Sequence, residues 1–391
     1  MRILYHHRTR GQGVEGVHIR EIAYALRKLG NEVYILSPPG VDIENPETDS
    51  SKSKNRWITK IYEVLPQSIL EILRCFYNFF AYFRFKEAVR KYKIDFIYER
   101  YAFLTWVGPY FARKYRIPII LEVNEASGLD QVTGQVMVKL ATSLEKRIFK
   151  IANAIIVVSN FLKRHIQKMG INEDKVFVIP NAVNPEVFDP DTVEDNLRRK
   201  LDIEDKLIIG FVGIFLPWNN LELLIDVFKE VTRENPKTHL LLVGDGPLKN
   251  TIERKVHQEG LRDKVTLAGK VNYRDVPKFI HSMDICVIPQ SNQYRSPVKL
   301  FEYMAMAKPV VAPCVEPIKS VIMEYEDVVL FEPGDRDLLK KAIRGLIEIK
   351  NSRKKIGNKA RKTIIKKYTW QNNAKKIVEI YKSSVHGQNV N

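Results

Sequence analysis

Along the 391-residue chain, short apolar runs alternate with longer stretches in which apolar positions recur every three or four residues. In the first half the runs span residues 2–7, 32–37, 95–101, 118–125, 154–160 and 176–183; in the second, 207–215, 239–244, 265–271, 284–289, 309–313 and 328–331. Many are nearly continuous, as in Ile155-Ile156-Val157-Val158, which is the pattern of parallel strands covered on both faces. Residues 19–29, 221–233 and 338–349 carry the helical period between them. Strand and helix in alternation predict an α/β architecture with parallel sheets.

So many strands exceed one comfortable sheet. Around residues 184–205 the rhythm stops in a polar, acidic stretch holding Pro185, Asp189, Pro190 and Asp191. The expected organisation is two doubly wound Rossmann-like domains, 1–185 and 186–369, facing a cleft. Trp370, Ala374, Ile377, Val378 and Tyr381 share one helical face with no later strand to cover. Residues 370–391 are therefore expected to cross back and pack on the first domain.

Composition narrows the class. Apolar residues make 45% and charged ones 28%, as in a soluble globular protein of more than one domain. Cys75, Cys286 and Cys314 stand far apart without CxxC or Cys/His spacing, against a disulfide framework or a zinc site. The opening MRILYHHRTRGQG has no secretory h-region, and no uncharged apolar run is long enough to span a bilayer, so the expected location is cytoplasmic. Lys plus Arg number 63 against 46 Asp plus Glu, a net charge of +17. Such an excess predicts an anionic partner: nucleic acid, an anionic membrane, or a phosphorylated small molecule.

Two segments carry candidate chemistry. Gly11-x-Gly13-x-x-Gly16 follows a strand and precedes a helix, the setting of a dinucleotide fingerprint. A nicotinamide site also needs an acid at the tip of the second strand, but that strand ends Leu36-Ser37-Pro38-Pro39. What remains is a loop whose N–H groups can meet an anion or a sugar. The second segment runs from Ser296 through Pro297, Val298, Lys299, Leu300, Phe301 and Glu302 to Val311. Pro297 suits a first helical turn, whose free N–H groups and dipole attract an anion. Lys299 opposes that dipole, and a residue that breaks the local rule often serves function; a phosphate would satisfy both. Glu302 can accept two hydroxyl hydrogen bonds from a ribose.

The second segment resembles the donor-site motif of glycosyltransferase family 4, the retaining nucleotide-sugar transferases of GT-B fold. Further segments agree in order: Gly16-Val17-His18-Ile19-Arg20-Glu21, Val157-Val158-Ser159-Asn160, Ile179-Pro180-Asn181-Ala182-Val183-Asn184, Gly210-Phe211-Val212-Gly213, Leu242-Val243-Gly244-Asp245-Gly246-Pro247-Leu248, Phe331-Glu332-Pro333-Gly334-Asp335 and Tyr368-Thr369-Trp370. The resemblance implies a glycosyltransferase with a nucleoside diphosphate sugar as substrate, a glycan or lipid-linked acceptor, and no cofactor. It implies donor binding by Gly213, Asn219, Gly244, Lys270, Val271, Tyr294, Arg295, Ser296, Pro297, Val298 and Leu300, with Lys299 and Glu302 central. Gly13, Gly16 and His18 would serve the acceptor side. Asn124 and Glu125 stand where many relatives place a catalytic His and an acid.

The chain departs from the family in two places. The first of two motif glutamates falls at Tyr294, and the loop after Gly213 reads Ile214-Phe215-Leu216-Pro217-Trp218-Asn219-Asn220, without the customary Arg and Lys. Lys299 and Arg295 are the local substitutes for those phosphate cations. Asp189-Pro190-Asp191 lies in the polar, acidic stretch between the two domains and is not read as a DxD metal signature, so a metal-independent reaction is expected.

Residues 51–95 hold ten Lys/Arg against four Asp/Glu, and nine aromatics lie between Trp57 and Phe85. Ile72, Phe76, Phe79 and Phe83 form one helical stripe, with Arg74, Arg84, Lys86 and Arg90 placed elsewhere on the wheel. Residues 57–90 therefore read as a surface for an anionic membrane, or else as a core helix with a solvated charged face. Two other functions compete with transfer. An epimerase or phosphorylase would need its own acid/base set or a lysine cofactor motif, neither of which is found. A nucleic-acid binder would need basic and aromatic residues interleaved in a known module, and they are not.

Overall fold

Among the described residues, twelve strands form two six-stranded, all-parallel sheets, and every run predicted from the apolar pattern holds one of them. The structure, a computed structural model, describes residues 1–11, 13–44, 65–129, 136–194, 196–322 and 328–386. Trp57 and the other residues before Leu65 invoked for the membrane surface lie outside these.

The chain divides into two compact units, Met1–Pro180 with Trp370–Asn391, and Asn181–Thr369. The division falls a few residues before residue 185 because Asn181–Asn184 is held by the second unit. Val183 N–H donates to Tyr368 O at 3.1 Å and Val183 bridges Thr369, while Phe188 is fully buried in that unit's core.

In the first unit the strands β1 (Arg2–His6), β2 (Glu32–Leu36), β3 (Phe96–Arg100), β4 (Ile119–Val123), β5 (Ala154–Val157) and β6 (Val176–Val178) lie in the order β2-β1-β3-β4-β5-β6. Helices α1 (Val14–Lys28), α2 (Gln67–Lys91), α3 (Val107–Tyr115), α4 (Val138–Ile151) and α5 (Asn160–Lys168) connect them. In the second unit β7 (Leu207–Val212), β8 (Thr238–Val243), β9 (Val265–Gly269), β10 (Ile285–Val287), β11 (Val310–Pro313) and β12 (Val329–Phe331) take the order β12-β11-β10-β7-β8-β9. The helices of six residues or more there are α6 (Leu221–Glu234), α7 (Lys249–Gln258), α8 (Val276–His281), α9 (Val298–Ala305), α10 (Arg336–Glu348) and α11 (Lys350–Lys367). The closing helix α12 (Trp370–His386) belongs to the first unit.

The continuous apolar runs are explained by two-sided burial. Ile208, Val212, Leu241, Val243, Cys286 and Val310 enter one core; Ile209, Phe211, Leu240, Leu242, Ile285 and Val311 enter the other. Successive side chains point to opposite faces, and both faces are covered.

Several element ends differ from the sequence reading, each for a local reason. β5 stops at Val157 because the Ser159 hydroxyl accepts the Leu162 N–H at 3.3 Å and starts α5. β4 stops at Val123, which leaves Asn124 and Glu125 in the loop beyond it. Pro297 is extended, with φ −74° and ψ 114°, and caps α9 rather than entering its first turn. α1 begins at Val14, so Gly16 lies inside the helix; a Cβ there would stand 2.0 Å from Gly11 O, so only glycine lets the loop and helix approach this closely.

α12 packs on α1 and β5 through Trp370, Ala374, Ile377 and Ile380, and the Trp370 ring meets His18 edge-on at 4.8 Å. Trp370→Ala is expected to destabilise the protein by about 3–5 kcal/mol, measured as a lowered urea midpoint with the slope unchanged.

Candidate active site

In the second sheet the strand order reverses between β7 and β10, and in open α/β sheets ligands bind beyond the carboxyl ends of the strands at such a switch point. Gly213 follows β7, Gly244 follows β8, Lys270 and Val271 follow β9, and Tyr294–Val298 lead from β10 into α9. Two glycines close this edge: Gly244 has φ +136°, and a Cβ on it would lie 1.9 Å from Gly213 O. The β8 turn therefore rests directly on the β7 turn.

Lys299, in the first turn of α9, reaches back to this edge. Its Nζ lies 4.0 Å from the Phe211 ring centroid and donates to Asn219 Oδ1 at 3.0 Å, while Asn219 Nδ2 donates to Ile214 O at 2.7 Å. The ammonium of Lys299 is thereby delivered from α9 to the loop after Gly213. Burial brings the Lys299 ammonium down to about 7, against the opposing pull of Glu302.

Glu302 is buried in the next turn of α9 and in hydrogen-bond contact with Tyr273. Burial pushes its carboxyl up to about 7, with Tyr273 and Lys299 working the other way. Tyr303 fixes the helix: its hydroxyl accepts the Val212 N–H at 2.7 Å at the end of β7. Nothing in the spacing of the segment singles out Tyr303, because its partner lies 91 residues away.

The other expected donor residues are placed as follows. Ser296 is buried, its hydroxyl accepting the Asn181 N–H at 3.1 Å and its carbonyl the Asn181 side-chain amide at 2.6 Å, which secures the entry to α9. Tyr294, Val298 and Leu300 are buried; Val271 is half-buried against the core and Lys270 is exposed. The Arg295 guanidinium lies over the Trp218 ring at 5.1 Å and the Tyr294 ring at 5.5 Å. Among the described residues, no group of three His, Cys, Asp or Glu side chains is arranged to hold a metal ion.

The first unit has a second polar cluster, around a residue the sequence reading passed over. Glu122, on β4, is buried and accepts from His18 Nε2 at 2.9 Å, Tyr98 hydroxyl at 2.8 Å, Asn124 Nδ2 at 2.6 Å and the Arg100 guanidinium. Burial alone would raise its carboxyl; the charges of His18 and Arg100 and the hydrogen bonds from His18 and Tyr98 outweigh it and hold the group well below the usual carboxylate range. His18 and Asn124 are thereby brought onto one carboxylate, with Gly13 and Gly16 at the start of the helix that carries His18. Glu125 is half-buried in the loop after β4. That loop is anchored further on, where both Glu145 oxygens accept the Ser127 N–H at 3.1 and 3.0 Å.

Two units, each built on a six-stranded parallel sheet covered by helices, are the fold of the GT-B class, and comparison with known proteins gives the family. The model described as Glycosyl transferases group 1 matches residues 193–363, and that described as Glycosyltransferase Family 4 matches residues 13–187. An uncharacterized glycosyltransferase of Methanocaldococcus jannaschii is 28% identical over 386 residues, 94% of this chain and 93% of that one. Among solved structures, a glycosyltransferase from Rickettsia africae superposes with a TM-score of 0.75 at 20% identity, covering 98% of both chains. The Anabaena protein HepE in complex with UDP gives 0.71 at 17%, covering 98% of this chain and 100% of that one. The chain belongs to the family 4 glycosyltransferases, and it is an enzyme of glycosyl transfer from a nucleotide sugar.

Two outcomes follow from the buried carboxylates. The folded carboxyl of Glu302, at about 7, lies above its ordinary value of 4.5, so its contribution to stability is complete below that ordinary value and lost as pH rises through 7. Glu302→Gln should therefore melt higher than the parent at pH 8, by at least about 2–4 °C, the shift that 1 kcal/mol produces in a domain of this size. The gap should close toward pH 5. Glu122→Ala should do the reverse, costing roughly 3–5 kcal/mol in urea denaturation by leaving Arg100 buried without its carboxylate.

Proposed function

We propose that the second unit binds a nucleoside diphosphate sugar with Lys299 and the amide end of α9 on the diphosphate and Glu302 on the ribose hydroxyls. The observation that carries this is the pairing on one helix of an ammonium and a carboxylate that burial presses toward neutrality beside the switch point of the sheet. A diphosphate would restore the charge on Lys299, and two ribose hydroxyls would hydrogen-bond the carboxylate of Glu302. The presence of UDP in the HepE complex supports a nucleotide on this fold. Arg295, steadied by Trp218 and Tyr294, supplies a second cation, and Gly213, Gly244, Asn219, Lys270 and Val271 frame the nucleotide.

The reaction is retaining and independent of metal. The bond from the anomeric carbon to the diphosphate oxygen breaks, and the acceptor oxygen joins the same face. The acceptor proton passes to the departing phosphate oxygen. The charge that develops there meets preorganised donors, which is the largest lever such a site has. The nucleotide sugar is substrate, and no resident cofactor takes part. His18, Asn124 and Glu125, with Gly13 and Gly16, serve the acceptor, a glycan or a lipid-linked sugar met at the cytoplasmic side of an anionic membrane.

Lys299→Ala is expected to lower kcat by on the order of 10²–10³-fold, and Glu302→Ala to weaken nucleotide binding by about tenfold or more. Because Lys299 loses its proton above about 7, UDP affinity should fall on passing from pH 7 to 9 by about tenfold, with Lys299→Ala abolishing the slope; calorimetric titration measures both. Product of the same anomeric configuration as the donor, read by proton NMR, supports retention. An inverted product, or near-parental kinetics in both variants, refutes the reading.

A further inference from the structure

Helix α2 is folded with its apolar side outward. Its buried residues are Glu71, Asn78, Ala81 and Phe85, and the polar ones act as anchors. The Glu71 carboxylate accepts the Val136 and Met137 N–H groups at 2.8 and 2.9 Å; Asn78 donates to Leu104 O at 2.7 Å and accepts the Trp106 N–H at 2.8 Å. On the opposite side Phe76 is 67% exposed, Phe79 70%, Phe83 53% and Ile72 49%. The stripe is thus not the core face of α2, which is formed by Ala81 and Phe85, and Arg90 falls on the stripe's own side, one turn beyond Phe83–Lys86. So large an unpartnered apolar face on a water-facing surface marks a site of interaction.

Two features choose the partner. The apolar turns run into a basic end, where Phe83, Lys86, Glu87, Arg90 and Lys91 line one depression. The aromatic surface also continues sideways onto α3: Tyr82 lies 5.9 Å from Tyr110, Trp106 lies 6.0 Å from Tyr110, and Lys114 stands over the Tyr110 ring. Phe and Ile in the middle, Trp and Tyr at the side and Lys and Arg beyond them is the order in which a bilayer interface presents hydrocarbon, boundary and anionic headgroups.

We propose that α2 is the docking surface for an anionic lipid bilayer, with Ile72, Phe76, Phe79 and Phe83 entering the interface and Lys86, Arg90 and Lys91 holding a lipid phosphate in the depression beside Phe83. This rests on the reading of an acceptor met at a membrane, and makes it specific to one helix face. The residues touch neither Lys299 nor the Glu122 cluster, so their replacement leaves nucleotide binding intact.

Full-length protein is sedimented with phosphatidylcholine vesicles, with and without phosphatidylglycerol. The parent should partition onto the anionic vesicles and lose binding as salt rises. Phe76→Ser with Phe79→Ser should weaken partitioning about tenfold or more. Lys86→Ser, Arg90→Ser and Lys91→Ser together should leave weak binding that no longer distinguishes the two vesicles or responds to salt. All variants should bind UDP as the parent does. Parental partitioning in both variant sets would refute α2 as the docking face while leaving a membrane acceptor in place. A parent that ignores both vesicles yet still binds UDP would remove the membrane and spare the donor site. A dimer in sedimentation velocity that Phe76→Ser disperses, without vesicle binding, would give the face to a second copy of the chain.

Discussion

An ammonium group held by a ring face and a side-chain amide, both neutral, is the constraint around which the second unit is arranged. Lys299 can take that place only if three things hold together. α9 must begin at Val298, so that its first turn points back at β7; the Ser296–Asn181 hydrogen bonds and the Tyr303–Val212 bond set that start and that angle. The β7 and β8 turns must lie flat on each other, which Gly213 and Gly244 permit. Phe211, next to last in β7, must turn its ring to the amine. An amine so placed is costly without an anion and favourable with one, which is how a binding site stores selectivity for a phosphate over a neutral ligand.

The first unit solves the opposite problem. Glu122 is also buried, but four donors surround it, so its charge is stable before any ligand arrives. Rather than awaiting a charge, it fixes the directions of His18 and Asn124. Lys299 and Glu302 are expectant groups; Glu122 is a satisfied one. Under the proposed function, the first arrangement would meet the charge of the donor and the second would orient the acceptor.

Architecture was legible because two-sided burial writes itself as unbroken apolar runs, and every such run holds a strand. Lys299 and Glu302 could be singled out as candidates because Lys299 offends the local helix dipole and both lie within one short segment. Glu122 was not: it sits within the apolar run of β4, and His18 is 104 residues away. Charge partners that meet only through the sheet leave no mark on local periodicity. The stripe on α2 showed its period but not its direction, since a wheel does not say which side faces inward; Glu71 and Asn78 decide that through partners on later loops. Strand ends were overestimated where a cap such as Ser159 ends the ladder before the apolar residues run out.

The first unit is completed only by α12, whose sequence follows the whole of the second unit. During synthesis the second unit's sequence emerges as one contiguous piece, whereas the side of α1 that meets Trp370 has no partner until α12 has been made. The first unit can therefore be completed only after the whole sequence of the second has been made.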